Sequence, residues 1–120
     1  MITLVGKQRI ASHLAAANPG NTVITHCALS DHTGEVSEND LVVDGEDLRT
    51  TLTVSANNVT CLGEDTVVAS EISASAYTLR KVGFLDASAG GNLICTHKLN
   101  TAIALSGSQR LHIIHGLVIQ

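Results

Sequence analysis

The sequence predicts an α+β or mainly β fold, with one N-terminal helix packed on an antiparallel β-sandwich of about six to eight short strands. Three observations carry that prediction. Only Val5 to Ala17 keeps a helical period. From Thr22 onward the apolar residues recur in short alternating runs bounded by Gly, Asn and Asp. Ser75 to Leu99 reads as strand, tight polar turn and strand, and the other runs are arranged around this unit. A chain of 120 residues is expected to form one domain, residues 1–120, with its own core and a high surface-to-volume ratio.

In the helix, Ile10 and Leu14 lie four apart, Ala11 and Ala15 extend their face, and Lys7, Gln8, Arg9, Ser12 and His13 occupy the rest. Asn18-Pro19-Gly20-Asn21 ends it, because proline cannot continue a helix and Asn and Gly suit turn dihedrals. Thr22 to Leu29 then alternates, with Val23, Thr25, Cys27 and Leu29 on one face and Ile24, His26 and Ala28 on the other. Apolar groups on both faces predict a strand covered on both sides, by the helix and by a second layer or a neighbouring chain.

Ser30 to Leu48 changes character. Asp31, Glu35, Glu38, Asp40, Asp44, Glu46 and Asp47 place seven of the eleven acidic residues here, which marks a polar loop, either solvated or docking. Leu41-Val42-Val43 within it is apolar enough for a short strand or an anchor on a partner.

From Arg49 the short runs return. Thr50, Leu52 and Val54 are expected to pair with Val59 and Cys61 or with Val67 and Ala69, across turns at Ala56-Asn57-Asn58 and Gly63-Glu64-Asp65. Ile72 to Tyr77 leads into the central hairpin. There Thr78 to Leu85 carries Leu79, Val82, Phe84 and Leu85, while Asn92 to Leu99 carries Leu93, Ile94, Cys95 and Leu99. Asp86 to Gly91 supplies the residues that a reversal needs. Gly83 inside the first strand signals a bulge or a close backbone approach, so the hairpin is expected to pack tightly on another strand or subunit. Asn100 to Gln109 reads as a mixed connection containing Ile103 and Leu105. Leu111 to Gln120 is a final strand, with Leu111, Ile113, Leu117 and Ile119 sharing a face with His115. Its apolar content predicts a place inside a sheet, since an exposed edge of this kind invites aggregation.

Composition narrows the function. Seven basic against eleven acidic residues, net −4, argue against nonspecific binding to nucleic acid or an anionic membrane. Tyr77 and Phe84 are the only aromatics, which disfavours base-stacking and sugar-binding platforms. There is no apolar run of about eighteen residues to span a membrane as a helix. Met1 to Val5 lacks the charged start and long apolar stretch of a signal peptide, so the chain is expected to be made and used from the cytoplasm. Cys27, Cys61 and Cys95 are odd in number and sit among apolar neighbours, as buried free thiols in a reducing compartment do. Their flanking residues share no pattern, so their even spacing is no repeat.

The chemistry-bearing residues are the cysteines with His13, His26, His32, His97, His112 and His115. Cys95 and His97 share a strand face and would need further donors for zinc, yet closely spaced Cys pairs are missing. A Cys-His nucleophile needs an accessible thiolate, whereas each cysteine lies in an apolar strand. Ser106-Gly107-Ser108 and Ser73-Ala74-Ser75 lack a nucleophile-elbow setting, and no helix follows Gly90-Gly91 to cradle a phosphate. Asp44-Gly45-Glu46-Asp47 has calcium-type ligands without the alternation of an EF-hand loop. The expectation is a chain with no catalytic residue, metal or cofactor.

Three blocks carry a family resemblance. Leu79-Arg80-Lys81-Val82-Gly83-Phe84-Leu85-Asp86 with Gly91-Asn92-Leu93-Ile94 resembles the (I/L)-R-E-(I/V)-G-L-F-D-A-x-G-N-L-I signature of tail-collar and tail-fibre attachment domains of tailed bacteriophages. Gly6-Lys7-Gln8-Arg9-Ile10-Ala11 is similar to the G-(K/R)-x-x-I-A start of that family, and Ile24 to Asp31 is similar to its I-x-x-I-A-(L/I)-G-D/T-G strand and turn. The blocks keep the family's order. They depart from it in Lys81, where an acid is usual, in Phe84-Leu85 for Leu-Phe, and in Ser30 for glycine.

The resemblance implies a non-enzymatic virion structural protein, made in the host cytoplasm, that forms a homo-oligomer, a trimer by analogy. It would attach a fibre or collar to the tail or baseplate by contact with other virion proteins, without nucleic acid or membrane. Family members usually head a longer fibre chain; ending at Gln120, this one is expected to be an adaptor or peripheral component. A related group of short phage proteins keeps the same turn outside tails, which leaves a capsid decoration (cement) protein as the alternative. A small zinc-binding or Cys/His enzyme domain is more distant. The interface candidates are Asp31, Glu35, Glu38, Asp40, Leu41, Val42, Val43 and Asp44 on the loop, with Arg80, Lys81, Gly83 and Phe84 on the hairpin. Arg80 and Lys81 are opposite in sign to the loop, which suggests contacts between subunits through complementary charge.

Overall fold

The structure, a computed structural model, describes residues 1–15, 24–57, 60–72, 76–106 and 109–118. Helix α1 (Leu4–Ala15) begins at a cap: the buried Thr3 hydroxyl accepts the Gly6 N–H at 2.9 Å, and the Lys7 N–H bonds the Thr3 carbonyl at 2.9 Å. Seven strands follow in the described residues: β1 (His26–Ser30), β2 (Glu46–Thr51), β3 (Thr53–Asn57), β4 (Thr60–Val68), β5 (Ala76–Leu85), β6 (Leu93–Ser106) and β7 (Arg110–Val118), with a helical turn α2 (Ala69–Ile72) before β5. They form two antiparallel sheets, β2-β1-β5-β6 and β3-β4-β7. The fold is therefore α+β and mainly β, as the sequence predicts.

The central hairpin is present as read. Gly90 and Gly91 take φ of 60° and 75°, the left-handed region that glycine enters at no steric cost, and the reversal joins β5 to β6. Asp86 closes it, accepting the Asn92 N–H at 2.7 Å and its side-chain amide at 2.9 Å. Ahead of α1 the chain adds a short rung to the outer side of β6: Ile2 bridges Cys95, Thr3 N–H reaches the Ile94 carbonyl at 3.0 Å, and Thr96 N–H the Met1 carbonyl at 2.9 Å. Beyond this rung α1 packs along β6, with Ile10 against the core.

Strand β1 is covered on both faces, as its sequence predicts, and Cys27, Ala28 and Leu29 are all fully buried. Cys27 and Leu29 face a core shared with Leu79, Phe84, Ile94 and Cys95 of their own sheet and with Val67 and Ile113 of the other. Ala28 faces a second, smaller cluster with Val43, Leu85 and Leu93. The cover on that side is the acidic segment, folded back on its own sheet through Val43.

Several pairings differ from expectation. Strand β2 pairs with β1, placing Cys27 opposite Thr50, so Thr50 does not pair with the 59–69 region. Gly63-Glu64-Asp65 lies within β4 rather than at a turn, because nine residues of β4 are held in register by β7. Asn100 to Ser106 is no connection but the second half of β6, reached after a wide irregularity in which Leu79 pairs with Ile103 and Lys81 with Lys98. Strand β7 is not interior: among the described residues it pairs with β4 alone and ends its sheet. Its apolar character serves the core instead, through Ile113, 8% exposed, and the half-buried Leu111. The expected helix end Ala16-Ala17, the stop Asn18 to Asn21, the strand start Thr22-Val23, and Asn58, Val59, Ser73 to Ser75, Gly107, Ser108, Ile119 and Gln120 lie outside the described residues, as do the side chains of His13, Leu14, Cys61, His115 and Leu117.

Candidate functional site: the acidic loop and the sheet face beneath it

The segment 31–45, between β1 and β2, crosses one face of the four-stranded sheet. Local bonds shape it. The Ser30 hydroxyl donates to the Asp44 carbonyl at 2.6 Å and accepts the His32 N–H at 3.0 Å, while Asp40 Oδ2 accepts the Ser37 N–H at 2.9 Å. Val43, 4% exposed, enters the sheet surface above Gly83. A β-carbon on Gly83 would overlap Val43 Cγ2 and stand 2.9 Å from Leu93 Cδ1. The close approach read from Gly83 is thus real, but the approaching group is the chain's own loop, and the register shifts of β5 fall on either side of Gly83.

Lys81 is the largest fully buried side chain among the described residues, 2% exposed. It stands opposite Ser30 on one side and Lys98 on the other, and its ammonium extends beneath Gly34, 3.6 Å from where a β-carbon on that residue would stand. Two ammonium groups on neighbouring strands repel, and Glu35 answers them: it forms an ion pair with Lys98 and feels the charge of Lys81. The Lys98 hydrogen bond and charge, with Lys81 behind, hold the Glu35 carboxyl below its ordinary range. Glu38 pairs with Lys7 of α1 at 3.1 Å, and its carbonyl accepts the Leu4 N–H at 2.7 Å. The loop is therefore a strap fastened to the sheet by Val43 and Glu35 and to the helix by Glu38.

Each interface candidate now has a place. Val43, Lys81, Gly83 and Phe84 are buried within the chain. Both cations meet the loop within the chain: Arg80 Nη1 donates to the Asp31 backbone carbonyl at 3.1 Å, and the charge of Lys81 reaches Glu35. Asp31, Glu35, Glu38 and Asp44 are exposed and Asp40 is half-buried. Leu41 and Val42 form no strand and stand out at 64% and 63% exposure. Sequence reasoning missed the anchoring role of Thr3 and the burial of Lys81; the signal for Thr3 was an N-cap residue three before Gly6.

The metal and nucleophile candidates meet only in part. Cys95 Sγ lies 3.9 Å from His97 Nε2, while His97 Nδ1 faces the Met1 nitrogen at 3.2 Å, so the two ring nitrogens address different partners and do not converge on one point. Among the described residues no three His, Cys, Asp or Glu side chains gather as metal donors. Burial pushes the Cys95 thiol up to about 11, which holds it protonated near neutrality. In the calcium-like run, Glu46 is engaged by Arg49 at 2.6 Å, and Asp47 accepts the Tyr77 hydroxyl at 2.7 Å and the Asp31 N–H at 3.1 Å. Burial, then the hydrogen bond to Asp47, raises the Tyr77 phenol.

Among the described residues no helix is long and apolar enough to cross a membrane. No protein-family model matches the chain, and no curated protein matches it as a relative.

Proposed function

We propose that this chain is a non-enzymatic structural protein of a tailed-phage particle, one that associates with itself and attaches a fibre or collar to the tail or baseplate. One observation carries the reading: the three blocks that bear the resemblance converge into one unit. The Gly6 block lies on the backbone of Ile94, and its Arg9 reaches Asp86 of the hairpin turn at 3.2 Å. The second block, β1, pairs along β5, Cys27 opposite Phe84. The third is the β5–β6 hairpin itself, closed by Asp86 and Asn92. Residues scattered through the sequence that resemble one family's signature thus interact directly with one another, which supports reading them as one motif. The protonated Cys95 thiol also favours a structural over a nucleophilic role.

The test is mass spectrometry of separated heads and tails from the encoding particle. The proposal expects this chain in the tail fraction at fixed stoichiometry. Signal in heads alone would turn the assignment to capsid decoration, and absence from both would end it.

A further inference from the structure

We infer that the buried ammonium of Lys81 seats one small monovalent anion of chloride size, where β5 meets the acidic strap beneath Gly34. Lys81 is 2% exposed, yet among the described residues its ammonium forms no hydrogen bond and no carboxylate oxygen comes within 4.0 Å of it. A charge taken from water is stable only when a counter-ion or polar groups replace the lost hydration. Charge does not close within the cluster either. Lys81 and Lys98 stand opposite each other on neighbouring strands, and Glu35, the carboxylate that answers them, is committed to Lys98: the Lys98 hydrogen bond and charge act on it first and the charge of Lys81 last. Two cations and one carboxylate leave one positive charge over. On the other side Lys81 faces Ser30, whose hydroxyl is already engaged by the Asp44 carbonyl and the His32 N–H.

Shape and charge together select the ligand. A β-carbon on Gly34 would stand 3.6 Å from Lys81 Nζ and 3.3 Å from His32 Nδ1, so glycine at this position leaves the ammonium uncapped by the strap. The remainder of the lysine is enclosed by the sheet and the strap. At 2% exposure the ammonium presents too little surface to receive a side chain of another protein, or a polyatomic anion whose several oxygens need several donors. A monatomic anion needs one such contact. The exposed Glu35 carboxylate beside the site acts as a second filter, because its repulsion doubles for a doubly charged anion.

The experiment exchanges sodium gluconate for sodium chloride at fixed ionic strength, which holds the screening of surface ion pairs constant. Melting temperature and chloride NMR line width are followed in the wild type, Lys81→Met and Gly34→Ala. Gly34 is half-buried and its φ is not left-handed, so alanine fits its backbone, and the added methyl covers Lys81 Nζ while the exposed His32 turns aside. Circular dichroism checks that all three keep one fold. Chloride is expected to raise the wild-type melting temperature by about 2 °C or more over gluconate and to broaden the chloride line. Both effects should fall several-fold in each variant, measured against its own gluconate value, and sulfate should give the wild type no gain over Lys81→Met. Equal chloride responses in the wild type and Lys81→Met overturn the inference and leave the ammonium to water. A full response in Gly34→Ala places the anion elsewhere and overturns it too, as does a sulfate response as large as that to chloride.

Discussion

Val43 stands where a side chain on Gly83 would begin, so a loop residue and a strand glycine forty positions apart specify each other's shape. Gly83→Ala is expected to lift the strap and cost about 1 to 3 kcal/mol, the range for overpacking a filled site. Val43→Ala, which opens a cavity, should cost about 2 kcal/mol. Combined, the two substitutions should cost less than their sum, since each relieves the other, and chemical denaturation of the four forms measures the coupling. Strict additivity would show that Val43 does not seat against Gly83.

Lys81 gives a second prediction. Its aliphatic stem fills space while its ammonium is removed from water, so Lys81→Met is expected to leave stability unchanged or raise it, as replacing buried ions by apolar groups of like volume often does. Lys81→Glu sets a carboxylate beneath Glu35 and should cost more than about 3 kcal/mol. Thermal melts of the two variants separate these outcomes; a strong loss in Lys81→Met would show that the charge itself holds the strap.

The hairpin was legible in the sequence because Asp86, Gly90 and Gly91 carry their conformational demands locally. The double burial of β1 was readable because Cys27, Ala28 and Leu29 leave no polar face. Partner choice was not: the alternation of Thr50 and Leu52 announces a strand without saying which strand it joins. Gly63-Glu64-Asp65 has turn chemistry that tertiary pairing with β7 overrides. Lysine is seldom buried, so nothing local marks Lys81, whose setting depends on Glu35, Lys98 and the returning loop.

Acid should unfold the hairpin end first. Burial alone would raise the Asp86 carboxyl, but the Asn92 backbone and side-chain hydrogen bonds and Arg9 outweigh it and hold that carboxyl below its ordinary value. A depressed folded pKa stabilises above the unfolded value of about 3.9, and that contribution is lost as pH falls through the folded value. Asp86→Asn keeps the size and removes the charge; it should lower stability at pH 7 by about 1 to 3 kcal/mol and flatten the loss below about pH 4. An unchanged acid limb would assign that limb to other carboxylates.

Cys95 predicts the opposite limb. Its folded pKa lies above the ordinary value of 9.0, at about 11, so its contribution is complete below pH 9 and is lost as pH rises towards 11. At pH 7 the folded chain should leave Cys95 unmodified by iodoacetamide over hours, while the denatured chain reacts within minutes, as peptide mapping would record. Rapid labelling of the folded chain would contradict the buried, protonated thiol.

Strand β1 lies between β2 and β5, and its bond to β5 sets Cys27 beside Phe84. Synthesis runs from the amino end, so β1 emerges long before the partner that completes its second side. Until Leu85 has left the ribosome, an apolar strand must wait with one row of amides and carbonyls unpaired. Assembly of this sheet is thus deferred to the arrival of the β5–β6 hairpin, and a chain truncated before that hairpin is expected to aggregate through the unpaired side of β1.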